Sequence, residues 1–232
     1  MYSLVVMKID LHLHTNFSHD GLSSPKEIVD AAIKKGLDVI CITDHSEIKG
    51  AFEAIKYALG KNILVLPGIE IMSQAGDILA INVKELVPDG LSTKDTINEI
   101  HQQGGIAVAP HPFNWPFGKF RGTLEELKTF DAIECFNANA FRFVNKKALN
   151  FAKKYNLAHT AGSDAHNARY VGRGYLSIAS KITSELDAIN AIMGKTGEII
   201  GKVLNFRQLI RNAQRSDIIQ MFDWYRIRKK NK

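Results

Sequence analysis

The first apolar run of the chain contains Ile9-Asp10-Leu11-His12-Leu13-His14, in which aliphatic and polar residues alternate. Successive side chains of a β-strand point to opposite faces, so this alternation predicts a strand with its aliphatic residues on one face and its polar residues on the other. The two imidazoles then project side by side, about 7 Å apart along the strand. At this spacing both rings can bind one metal ion.

Further short apolar runs alternate with segments of helical periodicity along most of the chain. The clearest helix signal is Ser24-Pro25-Lys26-Glu27, which predicts a helix through Ala32 that is closed by Gly36. The alternation predicts an α/β fold with a parallel sheet or barrel. The predicted strands are 8–14, 38–43, 63–70, 77–83, 105–110, 131–137, 158–163 and 174–179, and the other predicted helices are 47–59, 93–103, 123–129, 144–155 and 184–193.

Composition indicates a soluble protein with one domain over residues 1–232. The 232 residues are 45% hydrophobic, and no linker tract divides them. No apolar stretch approaches the roughly 20 residues that span a bilayer, and the N-terminus lacks a secretory signal, so we expect a cytoplasmic location. The net charge of +6 favours anionic partners, either small phosphates or nucleic acid. Within residues 205–232 we expect a last packing helix and a basic tail.

Ionisable residues stand at or just after the C-terminal ends of the predicted strands. In parallel α/β folds these ends form the edge where sites assemble, so residues far apart in sequence should converge there. Any single histidine at such an end could instead bond a loop carbonyl, but the whole set indicates a metal centre. Imidazole with carboxylate suits Zn, Mn or Fe, and the number of ligands predicts two or three ions. The expected ligands are His12, His14, Asp20, His45, Glu70, His111, Asp164 and His166.

The motifs that carry these residues resemble those of the polymerase and histidinol phosphatase (PHP) domain superfamily. They follow one another in order across residues 8–166. The resemblance implies a distorted, TIM-like, seven-stranded β/α barrel with a di- or trinuclear metal centre that hydrolyses phosphoesters. The motifs are Asp10-Leu11-His12-Leu13-His14-Thr15, Ser18-His19-Asp20-Gly21, Thr43-Asp44-His45, Pro67-Gly68-Ile69-Glu70, His111-Pro112 and Gly162-Ser163-Asp164-Ala165-His166.

The resemblance also implies how the ligands are shared among the ions. Glu70 bridges the first ion to a second, which His111 also binds. Members of the family with three ions usually have a further histidine soon after the bridging glutamate. Residues 76–82 contain none, so water, Asn82 or an empty position are the alternatives there. The first ion is held by His12, His14, Glu70 and Asp164, the third by Asp20, His45 and His166, and the expected catalytic residues are His12, His14, Glu70, Asp164 and His166.

The leading functional hypothesis is hydrolysis of a small phosphate monoester, such as a sugar phosphate, a nucleotide or histidinol phosphate, by metal-activated water. A nuclease or cyclic-phosphate phosphodiesterase is the alternative, and a non-catalytic nucleic-acid-binding or assembly subunit is a second one. The complete ligand set favours an enzyme. We expect Asp10 and Asp44 to orient ligand imidazoles. Candidates for binding the substrate phosphate are Arg142, Arg169 and Arg173, and the aromatic loop 114–121 is a candidate cover for a base or sugar ring.

Overall fold

Nine β-strands form one sheet in the computed structural model of the chain, which describes residues 5–114, 120–205 and 208. In sheet order the strands run β7-β6-β5-β4-β3-β2-β1-β8-β9. They are β1 (Met7–Leu13), β2 (Val39–Ile42), β3 (Leu64–Ser73), β4 (Gly76–Ile81), β5 (Ile106–Ala109), β6 (Ala132–Asn137), β7 (Ala158–Gly162), β8 (Gly174–Ile178) and β9 (Glu198–Gly201).

Parallel and antiparallel pairs alternate in blocks along the sheet, because two strands, β4 and β8, run against the rest. β1 to β3 are parallel to one another, as are β5 to β7. β4 is antiparallel to both β3 and β5, and β8 is antiparallel to both β1 and β9. β3 and β4 therefore form a hairpin, whose ladder ends with the pair Ser73 and Gly76.

The sheet curls so that β7, at one end of the order, returns to β1. Leu13 and Ala165 form an isolated parallel bridge, and the amide of His14 donates to the carbonyl of Ala165 at 3.0 Å. At Gly162 an added Cβ would lie only 2.4 Å from the Cβ of His12. The result is a nearly closed barrel, which confirms the predicted α/β barrel class.

Within residues 5–114 and 120–205, six helices and a short 3-10 helix connect the strands. α1 begins after Ser24 as predicted, with Ser24 and Glu27 forming a capping box, and Gly36 follows the helix with a positive φ of 66°. None of the described helices has the length and apolar character that a membrane span needs. The helices are α1 (Pro25–Lys34), α2 (Lys49–Ala58), α3 (Thr93–Gln102), α4 (Leu124–Leu127), α5 (Arg142–Lys154) and α6 (Glu185–Met193), and the 3-10 helix is Ala168–Tyr170.

Two hydrophobic clusters lie on the two faces of the sheet. The outer cluster joins strand residues to α1 through α5 and includes Ile28, Ala54, Ile100 and Phe151. The inner cluster draws on strands from β1 to β8 and on α6, which supplies Ala188 and Ile192. Inner members from the strands include Ile9, Leu11, Val39, Cys41, Leu66, Leu79, Ile81, Val108 and Ala161. The barrel interior is therefore a packed core rather than a channel.

All eight predicted strands are present, but two details of the prediction are wrong. The resemblance implied seven strands, whereas the described residues form nine, because β4 pairs as a hairpin and β9 adds an edge that was not predicted. The alternation of β1 also fails at its end. Ile9 and Leu11 belong to the inner cluster but Leu13 to the outer one, since the pairing with β2 shifts register between Asp10 and Leu13. Two predicted features lie outside the described residues. They are loop residues 115–119 and, apart from residues 205 and 208, the helix and tail predicted within 205–232.

Candidate metal centre

All eight predicted ligands lie at one edge of the barrel. β1 carries His12, and the segments after β1, β2, β5 and β7 carry six of the others. Glu70 lies within β3 rather than at its end, because that strand continues to Ser73. His45, which follows β2, pairs with Glu70 in an isolated parallel bridge. The residues that follow β2, β5 and β7 are His45, His111, Asp164 and His166, and those that follow β1 are His14 and Asp20.

The most buried part of the site is formed by His12, His14, Glu70 and Asp164. The Nε2 atoms of the two histidines are 3.1 Å apart, and each lies 3.0 to 3.2 Å from Oε2 of Glu70. Oδ1 of Asp164 lies 3.5 Å from Nε2 of His12 and 3.4 Å from Nε2 of His14. The two nitrogens and the Glu70 oxygen therefore face one point, and the Asp164 oxygen lies within 3.5 Å of both nitrogens.

These spacings fit a metal site. Ligand atoms held about 2.1 Å from a tetrahedral ion lie about 3.4 Å from one another. Two imidazole nitrogens facing each other at 3.1 Å gain little without a cation or proton between them. The donor set of two nitrogens and two oxygens also suits Zn, Mn or Fe.

A second group lies beside the first and is nearer to solvent. Nε2 of His166 lies 2.9 Å from Oδ2 of Asp20, and Nε2 of His45 lies 3.4 Å from the same oxygen. The ring of His14 stacks between the two groups, 4.2 Å from the His166 ring and 4.7 Å from the His45 ring. The side chain of His166 is 15% exposed, whereas those of His12 and His14 are fully buried.

A third group forms around the other oxygen of Glu70. Its Oε1 is buried, and among the described residues it accepts no hydrogen bond, while Nε2 of His111 lies 3.5 Å away. Asp77 is the third member, because one ligand atom from each of Glu70, Asp77 and His111 lies within 4.8 Å of the others. The sequence analysis did not include Asp77. Asn82, which it named as an alternative, lies beyond the far end of β4, where its amide donates to the carbonyl of Pro67.

Two of the ligands occupy a backbone conformation that L-residues rarely adopt. His111 has a φ of 28° and Asp164 a φ of 50°. Such residues are typically strained by about 1–3 kcal/mol, so the surroundings must hold them in place. The amide of His111 donates to Oε2 of Glu134 at 2.9 Å, and the side-chain amide of Asn139 donates to the carbonyl of Asp164 at 2.7 Å.

Glu134 is a second residue that the predicted site omitted. Its Oε1 lies 3.0 Å from Nδ1 of His12, on the opposite side of the ring from the ligand atom Nε2. Its Oε2 accepts from the His111 amide and from Nδ2 of Asn137, each at 2.9 Å. A carboxylate in this place fixes the tautomer and orientation of the imidazole. An acidic residue inside the otherwise apolar, buried run of β6 was the available signal.

Asp10 and Asp44 bond backbone and hydroxyl groups of neighbouring loops, and the expectation that they orient imidazoles stays a prediction. Asp10 accepts from the backbone amides of Ser163 and Gly172 at 2.9 and 3.0 Å. Asp44 accepts from the amide and hydroxyl of Thr15. Both carboxylates therefore fix loop backbone next to predicted ligands.

Charges within the cluster compensate one another. Burial alone lowers the pKa of His111, but neighbouring carboxylates, with Glu70 first, outweigh it and raise that pKa to about 10. Burial likewise lowers the pKa of His166, and Asp20 raises it to about 8. Burial raises the pKa of Glu70, yet the surrounding histidines bring it well below its usual range. The carboxylates thus favour positive charge at this edge, and divalent ions would replace protons there.

The three arginines predicted to bind substrate do not belong to the cluster. Arg142, the first residue of α5, and Arg169, in the 3-10 helix, are exposed. The guanidinium of Arg173 lies over the ring of Tyr170 and donates to Gln208 at 3.4 Å. All three lie in segments that connect to this edge of the barrel, and their contact with a substrate stays a prediction.

Comparison with known proteins gives a family match over most of the chain. The model of the PHP domain family matches residues 10–226. An uncharacterized protein of Methanocaldococcus jannaschii is 39% identical over 155 residues, which cover 62% of this chain and 90% of that protein. A probable histidinol-phosphatase of Thermotoga maritima is 26% identical over 203 residues, which cover 72% of this chain and 87% of that protein.

A solved structure supports the same fold. It is a two-domain protein of Bacteroides vulgatus described as containing a PHP-like metal-dependent phosphoesterase. The two structures superpose with a TM-score of 0.73 at 23% sequence identity, and the match covers 90% of this chain and 69% of the other. At this identity the likeness concerns the fold.

Proposed function

The chain belongs to the PHP domain family, and on this premise we propose that it is a metal-dependent phosphoesterase that hydrolyses a small phosphate monoester. The observation that carries the proposal is the convergence of all eight predicted ligands at one barrel edge, at mutual distances that fit metal coordination. Sugar phosphates, nucleotides and histidinol phosphate are the candidate substrates. The similarity to the probable histidinol-phosphatase of Thermotoga maritima supports a monoester.

The residues of the cluster have distinct parts in this reaction. Two or three divalent ions, Zn, Mn or Fe, when bound, lower the pKa of a coordinated water and neutralise charge on phosphoryl oxygens. His12, His14, Glu70 and Asp164 would hold the most buried ion, and the contact of Glu134 with Nδ1 of His12 would keep Nε2 directed at it. The partly exposed His166 faces the side from which a phosphate group enters.

A second candidate, a nuclease or phosphodiesterase, is supported by an exposed aromatic pair. Phe141 and Phe143 stack with ring centroids 5.7 Å apart and are 40% and 71% exposed. They flank Arg142 at the start of α5, two residues beyond Asn139, which bonds Asp164. Exposed aromatic rings beside a cation are typical of surfaces that stack bases.

The experiment is a hydrolysis screen with Mn, Zn, Fe and Co on p-nitrophenyl phosphate, its bis-ester and short single-stranded DNA. We expect the monoester to be turned over fastest. His14→Ala should lose at least about 3 kcal/mol of transition-state stabilisation, or more than about a hundredfold in kcat/KM. His101→Ala is the matched control, since His101 lies on α3 and bonds Asp131.

Two kinds of result would argue against the proposed monoesterase. Faster turnover of the bis-ester or of DNA would replace the monoesterase by the second candidate. Full activity that survives chelators, or equal activity of the His14→Ala and His101→Ala variants, would overturn the proposed function.

A further inference from the structure

The β3–β4 hairpin brings a carboxylate to the metal centre that belongs to none of the six motifs. In this hairpin Glu70 pairs with Leu79, and Met72 pairs with Asp77. Because the strands are antiparallel, Asp77 lies two residues beyond Leu79 in the direction of the barrel edge that carries the site. Asn82 lies at the opposite end of the same strand, beyond the pair of Ile81 with Gly68.

The pleat of the hairpin places Asp77 on the face that carries Glu70. Along β4, Leu79 and Ile81 belong to the inner cluster, whereas Ile78 and Ala80 belong to the outer one. Asp77 and Leu79 are two residues apart in the strand and share a face, so the side chain of Asp77 points inward. Glu70, which stands directly opposite Leu79, points inward as well, and the two carboxylates are diagonal neighbours on one face.

An independent feature of Glu70 indicates that a cation belongs between these groups. Glu70 is 2% exposed, and its Oε1 has no hydrogen-bond partner among the described residues. A buried carboxylate oxygen without a hydrogen bond is strongly unfavourable unless a cation compensates it. Nε2 of His111 lies 3.5 Å from Oε1, and a carboxylate oxygen of Asp77 lies within 4.8 Å of ligand atoms of both Glu70 and His111.

We propose that Asp77 is the third protein ligand, with Glu70 and His111, of the second metal position, and that it shifts the preference of this position from Zn²⁺ towards Mn²⁺ or Mg²⁺, relative to a histidine in the same place. The proposal rests on the metal centre of the proposed function. The resemblance implies a histidine here, which residues 76–82 do not contain, and a carboxylate in its place gives a donor set of two carboxylates and one imidazole. Harder oxygen donors favour Mn and Mg, whereas imidazole-rich sets favour Zn.

The test measures metal binding by the full chain after the protein has been stripped with a chelator. Wild type, Asp77→Asn, Asp77→His and the surface control Glu53→Gln are titrated with Mn²⁺ and with Zn²⁺, and bound metal is counted by elemental analysis. Electron paramagnetic resonance with Mn²⁺ reports whether two neighbouring ions are coupled through Glu70. Circular dichroism and thermal melting of the stripped proteins check that each variant folds.

We expect Asp77→Asn to bind one equivalent of Mn²⁺ fewer than wild type and to lose the signal of a coupled pair, with the remaining ions retained. Asp77→His should keep the stoichiometry but shift the ratio of Zn²⁺ to Mn²⁺ affinity at this position at least about tenfold towards Zn²⁺. Glu53→Gln should match wild type. If Asp77→Asn fails to fold, the Zn²⁺ to Mn²⁺ ratio of Asp77→His decides alone.

The proposal is overturned if wild type binds metal but the Asp77 variants have the same stoichiometry, coupling and Zn²⁺ to Mn²⁺ ratio. In that outcome the phosphoesterase would stand, with Asp77 placed near the site for another reason. A wild-type chain that binds no ion at all would instead remove the proposed function itself.

Discussion

At the scale of single residues, Glu134 links two ligands that the sequence motifs treat separately. One oxygen contacts Nδ1 of His12, and the other accepts the amide of His111, whose φ is positive. The same carboxylate therefore sets the orientation of one ligand ring and the backbone of the loop that carries another. A carboxylate behind a ligand imidazole contributes to metal affinity without touching the ion.

Replacing this carboxylate by an amide tests that role. Glu134→Gln keeps one acceptor oxygen but puts a donor where the second was, so either His12 or the His111 amide loses its partner. We expect the affinity for the most buried ion to fall about 10- to 100-fold, measured by competition with a chromophoric chelator. Glu53→Gln serves as the control for loss of one negative charge. Unchanged affinities for every ion in Glu134→Gln would contradict the assigned role.

At the scale of the elements, strand positions were predictable but the direction of β4 was missed. Hydrophobic runs located eight strands, because burial on both faces leaves a clear apolar pattern. The run at 77–83 carries no sign of direction, and we treated it as one more strand of a parallel sheet. Residues 71–76, which connect it to the preceding predicted strand 63–70, are too few for a parallel crossover, because such a crossover needs about a dozen residues or more. That length was the overlooked signal, and it decides whether Asp77 or Asn82 reaches the site.

Other parts of the fold left little trace in the sequence. β9 has only Ile199 and Ile200 as its apolar residues, and neither is fully buried. The register shift in β1 depends on its pairing with β2, which a single strand cannot reveal. The convergence of the eight predicted ligands, by contrast, was predictable, because each stands in a short motif within or just after a strand.

The contact between β7 and β1 yields a prediction at the same scale. At Gly162 an added Cβ would lie 2.4 Å from Cβ of His12 and 2.7 Å from Oε1 of Glu134. Gly162→Ala should therefore lower the free energy of unfolding by about 1–3 kcal/mol, as overpacking in a core does, and should weaken metal binding by displacing His12. Denaturant unfolding of the metal-free protein measures the first effect.

The control for this variant is Gly194→Ala. Gly194 follows α6 with a φ of −66°, and its added Cβ would meet no atom nearer than 3.3 Å. We expect its unfolding midpoint to stay close to that of wild type. Equal midpoints for Gly162→Ala and Gly194→Ala would show that the close approach of β7 to β1 does not constrain the site.

At the scale of the whole molecule, the barrel gathers residues from positions 12 to 166 into one charged centre. The inner cluster fills the interior beneath it, and the strands carry the ligands to a common edge. With Asp77, four carboxylates face the proposed ions, instead of the three that the motifs supply. Two divalent ions would only balance four negative charges, so a third is required for the positive field that attracts a phosphate dianion.

The central claim is that these side chains hold ions together at the barrel edge. The most direct measurement is a crystal structure of the protein grown with Mn²⁺, with an anomalous difference map that locates the metal. The account predicts separate peaks within the group of His12, His14, Glu70 and Asp164, within the group of Asp20, His45 and His166, and between Glu70, Asp77 and His111. A map without peaks at this edge, or with metal bound only elsewhere on the molecule, would contradict it.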